Sequence, residues 1–142
     1  MSSLVSQSVL SGMTILIVDD EPDNVNVIVK LLTMLGAEAF SAEDGQQGLD
    51  LARNRKPDVI FADLSMPVMT GWEMLHHMKE DPILKDIPVV ALTAHAMAGD
   101  RQRVLAAGFA HYFAKPIDVP QFIPQLVEML KEIPQTAPHL AL

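Results

Sequence analysis

The chain has 142 residues, the size of one domain, and 49% of them are hydrophobic, enough to build a full core without covalent staples. It contains no cysteine, which excludes a disulfide framework, a thiolate metal site and a cysteine nucleophile. A formal net charge of −8 argues against nonspecific nucleic-acid binding, and no apolar run approaches the roughly 20 residues that cross a bilayer, so a soluble cytoplasmic protein is expected.

Residues 1–12 are Ser-rich with scattered apolar positions and are expected to form a flexible leader. Residues 13–18 (MTILIV) are a continuous apolar run, the pattern of a strand buried on both faces, and the run stops at Asp19-Asp20. Pro22 suits the first turn of a helix, where its missing N–H costs nothing. Val25, Ile28, Val29, Leu32 and Leu35 follow at helical spacing, and Gly36 is the natural stop. Residues 38–41 read as a weaker strand. Asp44 is a helix cap with Gln47 as its reciprocal partner, and that helix ends before Pro57. Residues 58–62 (DVIFA) are a second buried-type strand ending at Asp63, followed by a loop with Met66-Pro67 and a helix over 71–80. Residues 88–92 (PVVAL) form a strand ending at Thr93, and a helix over 100–107 closes at Gly108. Residues 112–114 are a short strand before Lys115-Pro116. Asp118 is expected to cap a last helix carrying Phe122, Ile123, Leu126, Val127 and Leu130, with Pro124 disturbing its first turn. Residues 132–142 read as a tail, leaving one domain over 13–131.

Five short apolar strands alternating with five helices point to parallel βαβ units and a doubly wound α/β sheet. In such sheets ligands sit outside the carboxyl ends of the strands. Those ends carry Asp19-Asp20, Asp63, Thr93 and Lys115. Carboxylates brought that close repel one another unless they are neutralised. Lys115 supplies one positive charge, and a hard divalent cation with oxygen ligands is the natural remainder. An aspartate in such a pocket is suited to attack a phosphoryl group, with the metal, a cation and a hydroxyl around it. Asp63, on the central strand, is the candidate nucleophile. His76-His77 does not read as a metal site, because adjacent helical residues do not share a face.

Four segments together carry a resemblance: VDDE at 18–21, DLSMP at 63–67 with Gly71, ALTA at 91–94, and YFAKP at 112–116. With them the chain resembles the response regulator receiver domains of two-component signalling over roughly residues 13–131. The resemblance implies a flavodoxin-like fold with strand order 2-1-3-4-5 and five helices. It implies that Asp63 accepts a phosphoryl group from a phosphohistidine on a histidine kinase or histidine phosphotransfer protein. Asp20 would ligate Mg²⁺ (or Mn²⁺) directly and Asp19 mainly through water, with the backbone carbonyls of Asp63 and Ser65. Lys115 would pair with the phosphorylated aspartate, Thr93 would turn its hydroxyl to a phosphoryl oxygen, and Tyr112 would swing inward. Ala94 would let the backbone approach the phosphoryl group, and Pro116 would follow a cis peptide bond that helps aim Lys115. Ser65 and His95 occupy places where receivers differ. The same resemblance implies a signalling protein rather than an enzyme, one that promotes its own phosphoryl transfer and slow dephosphorylation. Its downstream protein target would bind the face of the fourth helix, fifth strand and fifth helix. The ALTAHAM stretch and the KPI ending are similar to receivers of hybrid histidine kinases or their single-domain relatives.

Two other classes share parts of this pattern. An aspartate-nucleophile phosphohydrolase uses the same carboxylate, Mg²⁺ and lysine logic, but normally shows an Asp-x-Asp pair where this chain has Asp63-Leu64-Ser65. A receiver-like interaction module would work without phosphate; the intact set Asp20, Asp63, Thr93 and Lys115 argues against it.

Overall fold

The computed structural model describes residues 8–94 and 98–140. Five parallel strands form one sheet in the order β2-β1-β3-β4-β5: β1 (Thr14–Val18), β2 (Glu38–Ala42), β3 (Val59–Asp63), β4 (Val89–Thr93) and β5 (His111–Ala114). The helices α1 (Pro22–Met34), α2 (Gly45–Arg55), α3 (Gly71–Lys79), α4 (Ala98–Ala107) and α5 (Val119–Glu132) connect them. The expected flavodoxin-like order is therefore the observed one. His95 lies outside the described residues.

The strands are apolar without alternation because both faces of the sheet are covered. Ile15, Ile17, Phe61, Val90 and Leu92 pack with Ile28 and Leu32 of α1 and Phe122 and Leu126 of α5. Their neighbours Leu16, Val18, Ile60, Ala62 and Ala91 point the other way, onto Leu49 of α2, Met74 of α3 and Val104 of α4. Phe61, Phe113 and Phe122 run as a connected aromatic row through the first of these layers, with ring centroids 6.0 and 5.2 Å apart.

The helix ends follow local chemistry, with two departures. Pro22 opens α1 and Gly36, at φ 96°, ends it. The Asp44 carboxylate accepts from the Gln47 N–H as expected, but Gln47 returns its bond to the Glu43 N–H rather than to the cap itself. Asp118 stands at the α5 cap without a side-chain cap bond; its backbone carbonyl accepts from Gln121 and Phe122 instead. Pro124 sits inside a continuous α5 on the exposed side, where the carbonyl it leaves unbonded can face water.

Inside the expected leader and tail, a few described residues are packed against the core. Val9 and Leu10 are fully buried, and the Leu10 N–H donates to the Leu35 carbonyl at 2.8 Å. Ile133 is buried, and the buried Thr136 hydroxyl donates to the Leu130 carbonyl at 2.7 Å, closing the end of α5. Ser-rich composition hid two apolar anchors, Val9 and Leu10, that fill the layer between α1 and the sheet.

Candidate functional site

Parallel pairing brings the carboxyl ends of β1, β3, β4 and β5 to one edge, and with them Asp19, Asp63, Thr93 and Lys115. Asp19 and Asp63 are 2% and 4% exposed, so both carboxylates are held out of bulk water. Asp19 Oδ1 accepts from the Glu21 N–H at 2.9 Å. Its Oδ2 lies 3.4 Å from Lys115 Nζ, an ion-pair separation, and is a buried oxygen with no hydrogen bond among the described residues. Asp63 Oδ1 accepts from the Ser65 N–H at 3.1 Å, and Oδ2 accepts from Lys115 Nζ at 3.1 Å. Lys115 Nζ also donates to Glu21 Oε1 at 2.8 Å.

The Lys115 backbone N–H donates to the Thr93 carbonyl at 2.8 Å, extending the β4–β5 pairing by one bond, and the Lys115-Pro116 peptide is cis. Gly71 lets α3 start directly against the end of β3: a Cβ there would overlap the Asp63 carbonyl oxygen and lie 3.0 Å from Leu64 Cα. Thr70 caps that helix in a reciprocal box with Glu73.

The electrostatics follow from this crowding. Burial pushes the Asp19 carboxyl up to about 6, and the nearby Asp63 charge adds to the rise, against the Glu21 N–H bond and Lys115. Burial pulls the Lys115 ammonium down, but its bonds to Glu21 and Asp63 and the charge of Asp19 outweigh that and hold it above the usual lysine range. Carboxylate oxygens of Asp19, Asp20, Glu21 and Asp63 lie within 4.8 Å of one another. All four are hard oxygen donors, and Asp19 adds a buried oxygen that lacks a hydrogen bond among the described residues, so the residues fit a hard divalent cation.

These groups face a cleft of about 540 Å³ whose walls include Asp20, Asp63, Ser65, Thr93, Ala94 and Lys115. Tyr112 is not among them. Its half-buried ring stacks on His111, with centroids 5.9 Å apart, and lines a groove of about 550 Å³ between β5 and α5. Over residues 15–134 the sequence matches the family described as response regulator receiver domain. The chain belongs to that family.

Relatives and structures agree. The polar-differentiation response regulator DivK of Brucella anthropi is 39% identical over 110 residues, covering 78% of this chain and 89% of the relative. Its counterpart in Brucella ovis shows the same identity and coverage. The chemotaxis response regulator CheY4 of Vibrio cholerae superposes with a TM-score of 0.76 at 28% identity, covering 82% of this chain and 98% of that one. The receiver domain of a sensor histidine kinase from Pseudomonas aeruginosa superposes with a TM-score of 0.73 at 33% identity, covering 84% and 98%. That structure has a magnesium ion coordinated in its active site cleft.

Two features of this receiver site lay beyond the sequence reading. In sequence Glu21 reads as one of several solvated acids, yet it is a Lys115 partner and a member of the acidic cluster; its place as the third acid of VDDE was the available signal. Trp72, Asp100 and Arg103 form one wall of the cleft, and nothing in their spacing along the chain couples them to Asp63.

Proposed function

We propose that this receiver is a phosphorylation-dependent switch in which Asp63 accepts a phosphoryl group from a phosphohistidine on a histidine kinase or a histidine phosphotransfer protein. The observation that carries the reading is the setting of Asp63: buried at the end of the central strand, one oxygen held by the Ser65 N–H and the other by Lys115. An Asp63 oxygen forms its bond to phosphorus as the P–N bond of the donor breaks. The electron pair stays on the imidazole nitrogen, which takes up a proton. Asp20, Asp19 and Asp63 with the Ser65 carbonyl would hold Mg²⁺ or Mn²⁺, and the bound ion supplies positive charge against the phosphoryl oxygens.

The chain's own groups do the rest. Lys115, already charged and held beside Asp63, pairs with the new phosphoryl group. Thr93 offers its hydroxyl from the end of β4, and Ala94 leaves room for the backbone beside it. Tyr112 then moves inward, and the face of α4, β5 and α5 changes its preference for a downstream protein. Slow loss of the phosphoryl group resets the switch, and the cytoplasm is the compartment where such donors act.

Intact mass after incubation with Mg²⁺ and acetyl phosphate tests this. A single phosphoryl adduct, absent in Asp63→Asn and lost on chelating the metal, is the expected result. A folded protein that takes no adduct would instead favour a module that works by constitutive contacts. Turnover of a small phosphomonoester would favour a phosphohydrolase.

A further inference from the structure

Among the described residues, the cleft that holds Asp63 is walled by four acids, Asp20, Glu21, Asp63 and Asp100, and by two cations, Lys115 and Arg103. Lys115 is engaged at the floor, within 3.4 Å of Asp19, 2.8 Å of Glu21 and 3.1 Å of Asp63. Any phosphodonor is anionic and must enter this acidic cleft, so a second cation at the entrance matters more than its exposure suggests.

Arg103 is built into the wall. Its guanidinium carbon lies 5.3 Å from the centre of the Trp72 ring, over its face. Trp72 is itself set edge-on against Phe109, with centroids 5.5 Å apart, and belongs to the first turn of α3, whose start the Thr70–Glu73 box fixes. Among the described residues the other hold on Arg103 is one bond, from Nη1 to Asp100 Oδ1 at 3.3 Å, with the arginine side chain 69% exposed. An exposed ion pair of that kind is weak and easily exchanged. A phosphoryl group offers the same guanidinium a bidentate, charge-assisted partner. The platform thus restrains the arginine beside the cleft while leaving its donors available.

From this geometry we infer that Arg103, seated on Trp72, is a donor-binding residue that takes the phosphoryl oxygens of the incoming phosphodonor before transfer to Asp63. The inference rests on the proposed phosphorylation of Asp63. Its ligand class is the phosphoryl group of an acyl phosphate or phosphoramidate. With acetyl phosphate, the Asp63 oxygen bonds to phosphorus while the bond from phosphorus to the acetyl oxygen breaks, and the electron pair leaves with acetate. Arg103 forms and breaks no covalent bond. It raises the occupancy of the donor complex.

The test is the rate of adduct formation against acetyl phosphate concentration, at saturating Mg²⁺, for the wild type, Arg103→Gln, Arg103→Lys and Trp72→Leu. Arg103→Gln is expected to raise the half-saturating donor concentration about five-fold while the maximal rate stays within about two-fold. Arg103→Lys should recover part of the loss, and Trp72→Leu should share it. The Mg²⁺ midpoint of Arg103→Gln, followed by fluorescence of the single tryptophan, should match the wild type. An unchanged half-saturating concentration, or a loss confined to the maximal rate or the Mg²⁺ midpoint, would overturn the inference while leaving Asp63 phosphorylation intact. A wild type that takes no phosphoryl group at any donor concentration would overturn the underlying reading itself.

Discussion

Asp19 and Gly71 show how much of the site depends on single atoms. The Asp19 carboxyl is raised to about 6 by burial first and by Asp63 second. A folded-state value above the unfolded one means that the native protein binds more protons between roughly pH 4 and 6. The associated stability is full at the acid end and is lost as pH rises through 6. Metal-free Asp19→Asn is therefore expected to be more stable than the wild type at pH 7.5, with the advantage shrinking toward pH 4.5, and Mg²⁺ should stabilise it less. Thermal midpoints of both proteins at the two pH values, with and without Mg²⁺, check this. Gly71 has no room for a methyl group against the Asp63 carbonyl. Gly71→Ala is expected to cost about 1–3 kcal/mol, read from the urea midpoint, because overpacking moves backbone at the end of β3. An unshifted midpoint would show that α3 can retreat freely.

Among the elements, α3 best illustrates local chemistry serving the site. Its start is set by Thr70 Oγ1, which accepts from the Glu73 N–H at 3.1 Å, and by Glu73 Oε1, which accepts from the Thr70 N–H at 3.0 Å. Thr70→Ala is expected to lower stability by about 1 kcal/mol in equilibrium denaturation. The box was legible as a pattern only once the helix start was known. The strands were more plainly legible, because each is an apolar run with a polar stop: residues 88–92 are displaced by one from the observed β4, and residues 112–114 start one residue after the observed β5. The α5 start was read less well: Asp118 has the right identity and position for a cap, but its side chain makes no cap bond. Identity alone does not decide side-chain direction there.

At the scale of the whole molecule, residues 9–10 and residues 133 and 136 belong to the core. Leu10 is fully buried and its backbone is tied to the end of α1, while Thr136 ties residues after α5 back to Leu130 and Ile133. Leu10→Ala is expected to cost about 2–5 kcal/mol, the range for a cavity in a packed core, and to leave the Mg²⁺ midpoint unchanged because the acidic cluster lies at the carboxyl ends of the strands. A urea titration that shows no shift for Leu10→Ala would show that this side chain is no anchor of the core. No helix among the described residues is long and apolar enough to cross a membrane.

The order of apolar runs and helical spacings determined the class of fold from the chain alone, because strands buried on both faces need helices between them and parallel pairing follows. The polar stops of those runs identified Asp19, Asp20, Asp63, Thr93 and Lys115, since parallel pairing sends all carboxyl ends to one edge. Only the tertiary structure decided which side chains meet across that edge. It joined Glu21 to Lys115, separated by 94 positions in sequence. It placed Arg103 of α4 over Trp72 of α3, and it buried Val9 and Leu10 against α1 and the sheet. Periodicity reports which face of an element is apolar; long-range neighbours depend on how the layers pack, and no local pattern encodes that.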